Sequence, residues 1–450
     1  MEQTKENKMG TMPVNKLLVT MSLPMVISMI VQALYNIVDS IFVSRLSEDA
    51  LTAVSMAFPM QNLMISVAVG TGVGINAMLS RALGEKKFEA ANKTAENGIF
   101  IEVLGYVLFL LIGIFVTKPF FLAQAGAGDI ANMGIEYTRI CLLMSFGIFM
   151  QIGFERILQS TGRTIFTMIT QSTGAIINII LDPILIFGLF GMPKMGVAGA
   201  AIATVTGQIC AAILAITFNL TKNPDVHISF KGFKPQIIFV KNILSVGIPS
   251  IIMSSVGSAM TFGMNKILIT FSSTAVAVFG VYFKLNSFVF MPVFGLNNGM
   301  VPIIAFSYGA RKRDRMVKTI KLSIAYAVCI MIIGFAIMQI FPDKLLLMFN
   351  ASETMLSIGV PALKIISVSF LFAGISIVSL SVFQALGHGV LSMMVSFMRQ
   401  LIFLLPSAYL LSLTGDINKV WFSFLIAEVI SVSLSLLSMR YLYKKVIKNL

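Results

Sequence analysis

Long uncharged stretches alternate with short charged ones along the chain. Several stretches contain no Asp, Glu, Lys or Arg, among them 17–38, 50–80, 195–221, 242–265, 285–310 and 322–342. An apolar stretch of about 18 residues or more can cross a bilayer as an α-helix. Other stretches are interrupted by one acid, such as Glu102 or Glu428. The pattern predicts twelve membrane-spanning helices, which start near residues 14, 51, 92, 132, 164, 196, 238, 275, 317, 359, 391 and 419.

The composition agrees with an all-α integral membrane protein. Of the 450 residues, 57% are hydrophobic and 12% are charged, about half the charged fraction of a typical soluble domain. The short alternating strands of a membrane barrel are absent from the sequence. We expect no removable signal peptide, because the polar first sixteen residues are not followed by a short apolar core with a cleavage site.

The positive charge is distributed unevenly. With the N-terminus placed in the cytoplasm, 24 of the 33 Lys and Arg fall in inner tails and loops. This asymmetry predicts a multi-pass protein of the bacterial inner or plasma membrane with both termini cytoplasmic. We therefore expect no nucleic-acid partner despite the net charge of +14. The basic cluster at 311–315 is expected to meet anionic lipid headgroups.

The two halves of the chain repeat with an offset of 225 residues. Pairs at this offset include Pro24 with Pro249 and Phe58 with Phe283, and several glycines follow the same register. Because each half holds six spans, both halves begin on the same side and form parallel repeats, as in transporters that rock two halves around a central site. We expect an N-terminal six-helix bundle (1–221), a cytoplasmic linker (222–241) and a C-terminal six-helix bundle (242–450). The linker is either a surface helix or a simple tether.

One acid stands alone in an apolar run. Asp182 is the only charged residue between Arg163 and Lys194, and Pro183 follows it. A charged residue at the centre of a membrane helix costs roughly 2.5–3.5 kcal/mol or more, so such residues usually face a cavity, a partner or an ion. Asn178 lies one turn earlier on the same face. Asp182 either serves transport or only pairs with a donor on a neighbouring helix.

The first span carries a polar face of its own, formed by Gln32, Tyr35, Asn36 and Asp39 at helical spacing. Asp39 and Asp182 are both about 18 residues or more from the inner end, so we expect them at similar depth. Two carboxylates, an amide and backbone carbonyls suit Na⁺, and two desolvated carboxylates suit H⁺ equally well. At the 225-residue offset no acid matches either one, so ion coupling is expected in the N-terminal half alone.

Other charged and aromatic residues are secondary candidates. Glu102, Lys284 and Glu428 are expected to form buried pairs that hold the bundles, and Glu155 with Arg156 to form a cytoplasmic rim or inner gate. Methionines and aromatic rings adapt to dissimilar cationic ligands. The candidate substrate-binding residues are therefore Gln32, Tyr35, Asn36, Phe58, Phe154, Phe283 and Met291. Enzyme and nucleotide-binding motifs are absent from the sequence, so we expect no enzyme activity, no cofactor and an ion gradient as the energy source.

Several segments together resemble the multidrug and toxic compound extrusion family, in particular its MepA-like and DinF-like bacterial pumps. They are "NIILDPILIFG" (178–188), "GVAGAAIAT" (196–204), "LQSTGRT" (158–164) and its echo "FQALGHG" (383–389). The resemblance implies two six-helix bundles around a V-shaped central cavity. It also implies coupling roles for Asp39, Asn178 and Asp182, with Thr204 as a further polar ligand.

The resemblance further implies export of amphiphilic organic cations and drugs in exchange for H⁺ or Na⁺, the latter at Asp39 and Asp182. The acids that another branch of the family places on the seventh and tenth helices are missing here. The alternative is a flippase for a lipid-linked precursor, whose cavity would carry several cationic residues; the spans offer mainly Lys284, with Arg399. We expect small cationic substrates and the bilayer as partners, and a monomer.

Overall fold

The computed structural model describes residues 7–450, and these residues fold into helices joined by short loops. The first part of the described chain contains α1 Lys8–Thr11, α2 Val14–Ser44, α3 Glu48–Gly84, α4 Phe88–Phe115, α5 Thr117–Ala125, α6 Asp129–Leu143, α7 Phe146–Ser160, α8 Thr164–Phe187 and α9 Gly196–Lys222. A short 3₁₀ turn, Leu189–Gly191, lies between α8 and α9. Lys5, near the start of the chain, lies outside the described residues.

The second part has the same succession of long and short helices. It contains α10 Ile237–Leu268, α11 Ser273–Gly309, α12 Arg313–Ile340, α13 Pro342–Leu347, α14 Glu353–Ser367, α15 Phe370–Ala385, α16 Gly389–Phe397, α17 Leu405–Ser412 and α18 Ile417–Leu442. Two π-helical segments extend these helices, Met398–Leu404 between α16 and α17 and Tyr443–Ile447 after α18.

Ten helices of the described chain are long and apolar enough to cross a membrane. Two further spans are bent pairs, α6 with α7 at 44° and α14 with α15 at 52°. Counting each bent pair as one span gives twelve, as the hydrophobic pattern predicts. The all-α fold class is therefore confirmed.

The repeat is visible in the backbone as well as in the sequence. Ser47 Oγ accepts a hydrogen bond from the Ala50 amide at 3.0 Å and so caps the N-terminus of α3. Ser272, 225 residues later, caps α11 in the same way, again at 3.0 Å. Such caps satisfy amides that a helix start leaves unpaired. The same register therefore fixes where corresponding spans begin.

The chain forms two compact units that do not follow the sequence halves. The first unit contains residues 7–8 and Ile27–Ile251, and the second contains Met9–Val26 and Ile252–Leu450. Each unit thus contains the N-terminal half of the other repeat's first long helix. In the first unit, a Cβ on Gly70 would lie 2.9 Å from the Ile251 amide nitrogen, so only glycine allows the approach.

The second unit contains the matching contact. A Cβ on Gly295 would lie 2.6 Å from the Cα of Val26, and these residues are the 225-residue counterparts of Gly70 and Ile251. The exchange of half-helices is therefore the same in both units. Two glycines that the repeat pairs in sequence serve one packing purpose.

The linker is an extended strap and not a surface helix. Residues 223–236 are non-helical and lie along α4 within the first unit. Three α4 side chains accept backbone N–H groups: Asn92 from His227 at 2.9 Å, Glu96 from Ser229 at 3.0 Å and Asn97 from Gln236 at 2.8 Å. These bonds satisfy amides that no helix or strand pairs.

Candidate functional site

The two acids singled out by the sequence meet inside the first unit. Asp39 lies in the C-terminal part of α2 and Asp182 near the C-terminal end of α8, and their carboxyl groups lie within hydrogen-bonding distance of each other. Asp182 is completely buried and Asp39 is partly buried. The prediction of similar depth is confirmed. Each carboxyl keeps its Oδ1 atom without a hydrogen-bond donor among residues 7–450.

Asn178 joins this acid pair to a third helix. In the amide orientation that satisfies its neighbours, Asn178 Nδ2 donates to Asp182 Oδ2 at 3.0 Å. Its Oδ1 accepts from the Thr204 backbone amide at 3.0 Å and from Thr204 Oγ1 at 3.1 Å. The hydroxyl of Tyr35 lies beside Thr204. The polar chain therefore returns to α2, one turn from Asp39.

Close packing of α8 and α9 makes this arrangement possible. A Cβ on Gly207 would lie 2.5 Å from the Gly174 carbonyl oxygen, and one on Gly199 would lie 2.6 Å from the Leu185 carbonyl oxygen. Small residues thus let the two helix backbones touch on either side of Asn178. Pro183, which lacks an N–H, leaves the Ile179 carbonyl without its helical partner, and this oxygen could also face an ion.

A second polar group adjoins the acids and escaped the sequence reasoning. Gln61 of α3 donates to the Tyr137 hydroxyl at 3.2 Å and to Cys141 Sγ at 3.6 Å. Tyr137 and Cys141 lie on one face of α6 and interact electrostatically with Asp39. The spacing of Tyr137 and Cys141, one helical turn, was the available signal.

The predicted substrate-binding residues are distributed more widely. Gln32 and Asn36 are exposed on α2, and Phe58 is 62% exposed on α3. Phe154 is buried inside the first unit. In the second unit, Phe283 and Met291 are half-buried. Of the four residues predicted on the polar face of α2, Asp39 belongs to the acid pair and Tyr35 lies beside it.

Glu155 and Arg156 were expected to form a cytoplasmic rim or inner gate. The prediction of an exposed rim is wrong, because both side chains are buried. Their exposed fractions are only 2% and 9%. The Glu155 carboxylate accepts three hydrogen bonds, from Gln151 at 3.0 Å, Thr170 at 2.8 Å and Gln171 at 2.7 Å. A buried carboxylate requires such donors. A gating role for the pair stays a prediction.

The buried pairs expected for the remaining charges are only partly found. Glu428 pairs with Arg399, at 3.3 Å between Oε2 and Nη1, and not with Lys284. The Lys284 ammonium lies 5.8 Å from the centroid of the Phe349 ring. Glu102 is buried on α4, and neither carboxyl oxygen has a hydrogen-bond partner among the described residues. Two of the three expected pairings are therefore wrong.

The acid pair is not a conventional metal centre. Within residues 7–450, no group of three or more His, Cys, Asp or Glu is placed to hold a metal ion. Asp39 and Asp182 supply two carboxylates, and carbonyl or hydroxyl oxygens would have to complete the shell. Such an oxygen set fits a proton or a weakly held alkali ion better than a transition metal.

The fold and the site define a polytopic membrane protein of two repeats with a buried acid pair in one of them. The MatE family model matches residues 24–184 and again 249–410, which is the repeat found in the sequence. The chain therefore belongs to the MatE family. It is a multi-pass membrane transporter and not an enzyme.

Several relatives cover nearly the whole chain. It is 26% identical to the multidrug export protein MepA of Staphylococcus haemolyticus, over 94% of this chain and 92% of that protein. It is 27% identical to MepA of Staphylococcus aureus, over 92% and 91% of the two chains.

Solved structures agree with these relatives. An outward-facing multidrug resistance MATE family transporter of the MOP superfamily is similar at 26% identity, with a TM-score of 0.92 and complete coverage of both chains. A MOP superfamily transporter from Pyrococcus furiosus matches at 26% identity and a TM-score of 0.92, over 99% of this chain and 100% of that one. The family resemblance seen in the sequence is confirmed.

Proposed function

We propose that this chain is a secondary active efflux transporter that exports amphiphilic organic cations and drugs in exchange for H⁺ or Na⁺. The coupling site is formed by Asp39, Asn178, Asp182 and Thr204, with Tyr35 beside it. The names of the staphylococcal relatives, which are multidrug export proteins, support the class of substrate. The geometry of the acid pair supports the coupling site.

One observation carries this proposal: the two carboxyl groups contact each other, yet neither Oδ1 atom meets a donor. Two negative charges at about 4 Å repel each other by about 4 kcal/mol at an effective dielectric constant of 20. A proton shared between the carboxyls, or a Na⁺ bound by both, removes this repulsion. Repulsion between the two carboxylates therefore favours the uptake of one cation.

Cation uptake at this pair would change how three helices hold together. Asp39 lies on α2, while Asn178 fixes the orientation of Asp182 on α8 and contacts Thr204 on α9. When the cation leaves, the two carboxylates repel each other, and this repulsion weakens the association of α2 with α8. A ligand that binds one arrangement better than the other shifts the population between them. Loss and gain of the coupling ion would thus bias the first unit between two shapes.

The second unit offers no matching acid pair. The 225-residue counterparts of Asp39 and Asp182 are Met264 and Ser407. Ser407 Oγ donates to backbone carbonyls of its own helix, so its hydroxyl does not take the place of the missing carboxylate. One coupling site per chain therefore suffices, and we propose that a monomer in the bacterial inner or plasma membrane, with both termini cytoplasmic, performs the exchange.

The proposal is tested by transport in proteoliposomes that contain the purified chain. The probe is ethidium, a fluorescent organic cation, and Na⁺ and pH gradients are imposed separately. We expect one of the two gradients to drive ethidium against its concentration difference. Absence of gradient-driven movement with either ion would contradict the antiport proposal and favour the flippase. The pairing of Arg399 with Glu428 already argues against a cationic cavity for pyrophosphate.

A further inference from the structure

The second unit contains an ion pair at positions that the 225-residue offset relates to the surroundings of Asn178 and Thr204. Arg399 belongs to the π-helical segment Met398–Leu404 and Glu428 to α18. Their 225-residue counterparts are Gly174 and Ala203, which lie on α8 and α9 beside Asn178 and Thr204. Where the first repeat packs two helices tightly beside the acid pair, the second repeat has an internal salt bridge.

The salt bridge is incomplete for a buried pair. Only one contact, 3.3 Å long, joins Arg399 Nη1 and Glu428 Oε2. Glu428 Oε1 and Arg399 Nε are both buried and lack a hydrogen-bond partner among the described residues. A pair that serves stability alone gains most from bidentate geometry with every polar atom satisfied. The free oxygen of Glu428 thus points to an additional partner that is itself a cation or a donor.

Aromatic residues cluster in the part of the second unit that holds this carboxylate. Tyr282 interacts electrostatically with Glu428 and Arg399, and its ring centroid lies 5.7 Å from that of Phe424. Phe424 precedes Glu428 by one helical turn, and Phe283 stands edge-on to Tyr282 at 6.0 Å. Phe283 is half-buried. Faces of aromatic rings beside a carboxylate are the chemistry that binds flat organic cations.

The helix that carries Arg399 is irregular at this point. Met398–Leu404 is a π-helical segment, and Pro406 just beyond it lacks the N–H that a regular helix needs. Such π-helical turns occur frequently at functional sites, because they rotate the side chains that follow. On the facing helix α10, a Cβ on Gly257 would meet only Gln400 Oε1, at 3.6 Å. Arg399 therefore lies on an irregular helical segment, next to a loosely packed glycine position of α10.

We infer that Glu428, with Tyr282, Phe283 and Phe424, forms a subsite for an organic cation in the second unit. Arg399 occupies the carboxylate while the subsite is empty. An incoming cation takes the place of the guanidinium, and Arg399 turns towards the partly exposed side, where its side chain already keeps 20% of its surface accessible. The inference rests on the proposed function, because it names a binding position for the exported cations.

If Arg399 competes with the ligand for Glu428, replacing Arg399 and replacing Glu428 should have opposite effects on ligand affinity. Without the carboxylate the ligand loses its counter-charge. Without Arg399 the ligand loses its competitor. A purely structural salt bridge predicts instead that both single changes impair the chain alike. It also predicts that removing both charges together restores it, since the damage comes from the charge left unpaired.

The experiment measures equilibrium binding of ethidium to the purified full chain by fluorescence anisotropy. We expect Glu428→Gln to lower the affinity about tenfold and Arg399→Gln to raise it about threefold, in line with a partly desolvated charge contact to an aromatic-lined site. The double variant Glu428→Gln/Arg399→Gln leaves neither charge unpaired, so it provides a test if Arg399→Gln does not fold. We expect it to bind as weakly as Glu428→Gln alone.

Glu102→Gln is the matched control, because Glu102 is also a buried acid within a span but lies in the first unit. Its ethidium affinity should equal that of the unchanged chain. Wild-type affinity in the double variant, or equal losses in both single variants, would overturn the inference. Gradient-driven ethidium export with unaltered binding in all variants would overturn it too, and leave the proposed function standing. The expected affinity changes without gradient-driven export would support the subsite and contradict the antiport proposal.

Discussion

Asn178 Nδ2 donates a hydrogen bond to Asp182 Oδ2 at 3.0 Å, one turn along the same helix. The other end of the amide accepts from Thr204 on α9. Asn178 therefore orients one carboxylate of the acid pair and ties two helices together. Both roles depend on having a donor and an acceptor in one side chain, which leucine and aspartate lack at neutral pH.

Replacing Asn178 tests whether this amide positions the coupling acid. Asn178→Ala leaves a buried Asp182 oxygen without its donor, which costs about 1–3 kcal/mol. We expect a lower free energy of unfolding in detergent together with at least a tenfold loss of gradient-driven ethidium export. The matched control is Thr204→Ser, which keeps the hydroxyl and should keep both properties. Full export by Asn178→Ala would show that Asp182 needs no such support.

Neutralising the acids separates coupling from binding. Asp39→Asn or Asp182→Asn replaces one of the two carboxylates with an amide of the same shape, which removes the charge repulsion that favours uptake of a proton or Na⁺. We expect uphill export to disappear in both variants, whereas passive ethidium exchange down its own gradient continues. The measurement compares the two fluxes in proteoliposomes. Asp129→Asn, an exposed acid in the first turn of α6, serves as the control and should transport normally.

The double variant makes the test of the coupling site stricter. If Asp39→Asn/Asp182→Asn still accumulated ethidium against its gradient, ion coupling would have to lie elsewhere in the chain. The remaining buried acids, Glu102, Glu155 and Glu428, would then be the next candidates.

The Glu155 cluster predicts a stability effect that is independent of transport chemistry. Its carboxylate accepts from three side chains, on α7 and α8. Glu155→Gln turns one acceptor oxygen into a donor that faces other donors, and we expect a loss of about 1–3 kcal/mol in unfolding free energy. Glu89→Gln removes an exposed pair with Lys93 and should leave stability nearly unchanged, because exposed ion pairs contribute little. Equal effects of the two changes would contradict the structural role of the cluster.

The sequence predicted the architecture because its signals are local or periodic. Span lengths, the charge asymmetry and the 225-residue register need only distances along the chain. Asp39 and Asp182 were linked through their depth in two helices of the same direction, which again is a count of residues. The count gives their similar depth, whereas their proximity in the first unit depends on how α2 and α8 pack.

What the sequence could not provide were contacts between side chains of distant helices. Glu428 was expected to pair among the spans, but the choice of Arg399 over Lys284 depends on how α18 faces the π-helical segment. Cys141 carries no polar signal of its own and gains its place only through the Gln61 amide. The exchange of half-helices between the units is likewise invisible to a repeat comparison, because both repeats make it identically.

That exchange predicts a sharp contrast between two glycines of α11. A Cβ on Gly299 would lie 2.6 Å from the Cα and 2.7 Å from the amide nitrogen of Ser22, both backbone atoms that cannot turn aside. Gly299→Ala should therefore destabilise the chain by about 1–3 kcal/mol or more. Gly280→Ala is the matched control, because nothing lies within 4 Å of its Cβ position. In a helix interior this change should stabilise by up to about 1 kcal/mol. Thermal unfolding of both variants in detergent gives the comparison. Equal melting temperatures would show that the N-terminal half of α2 does not pack against α11 as described.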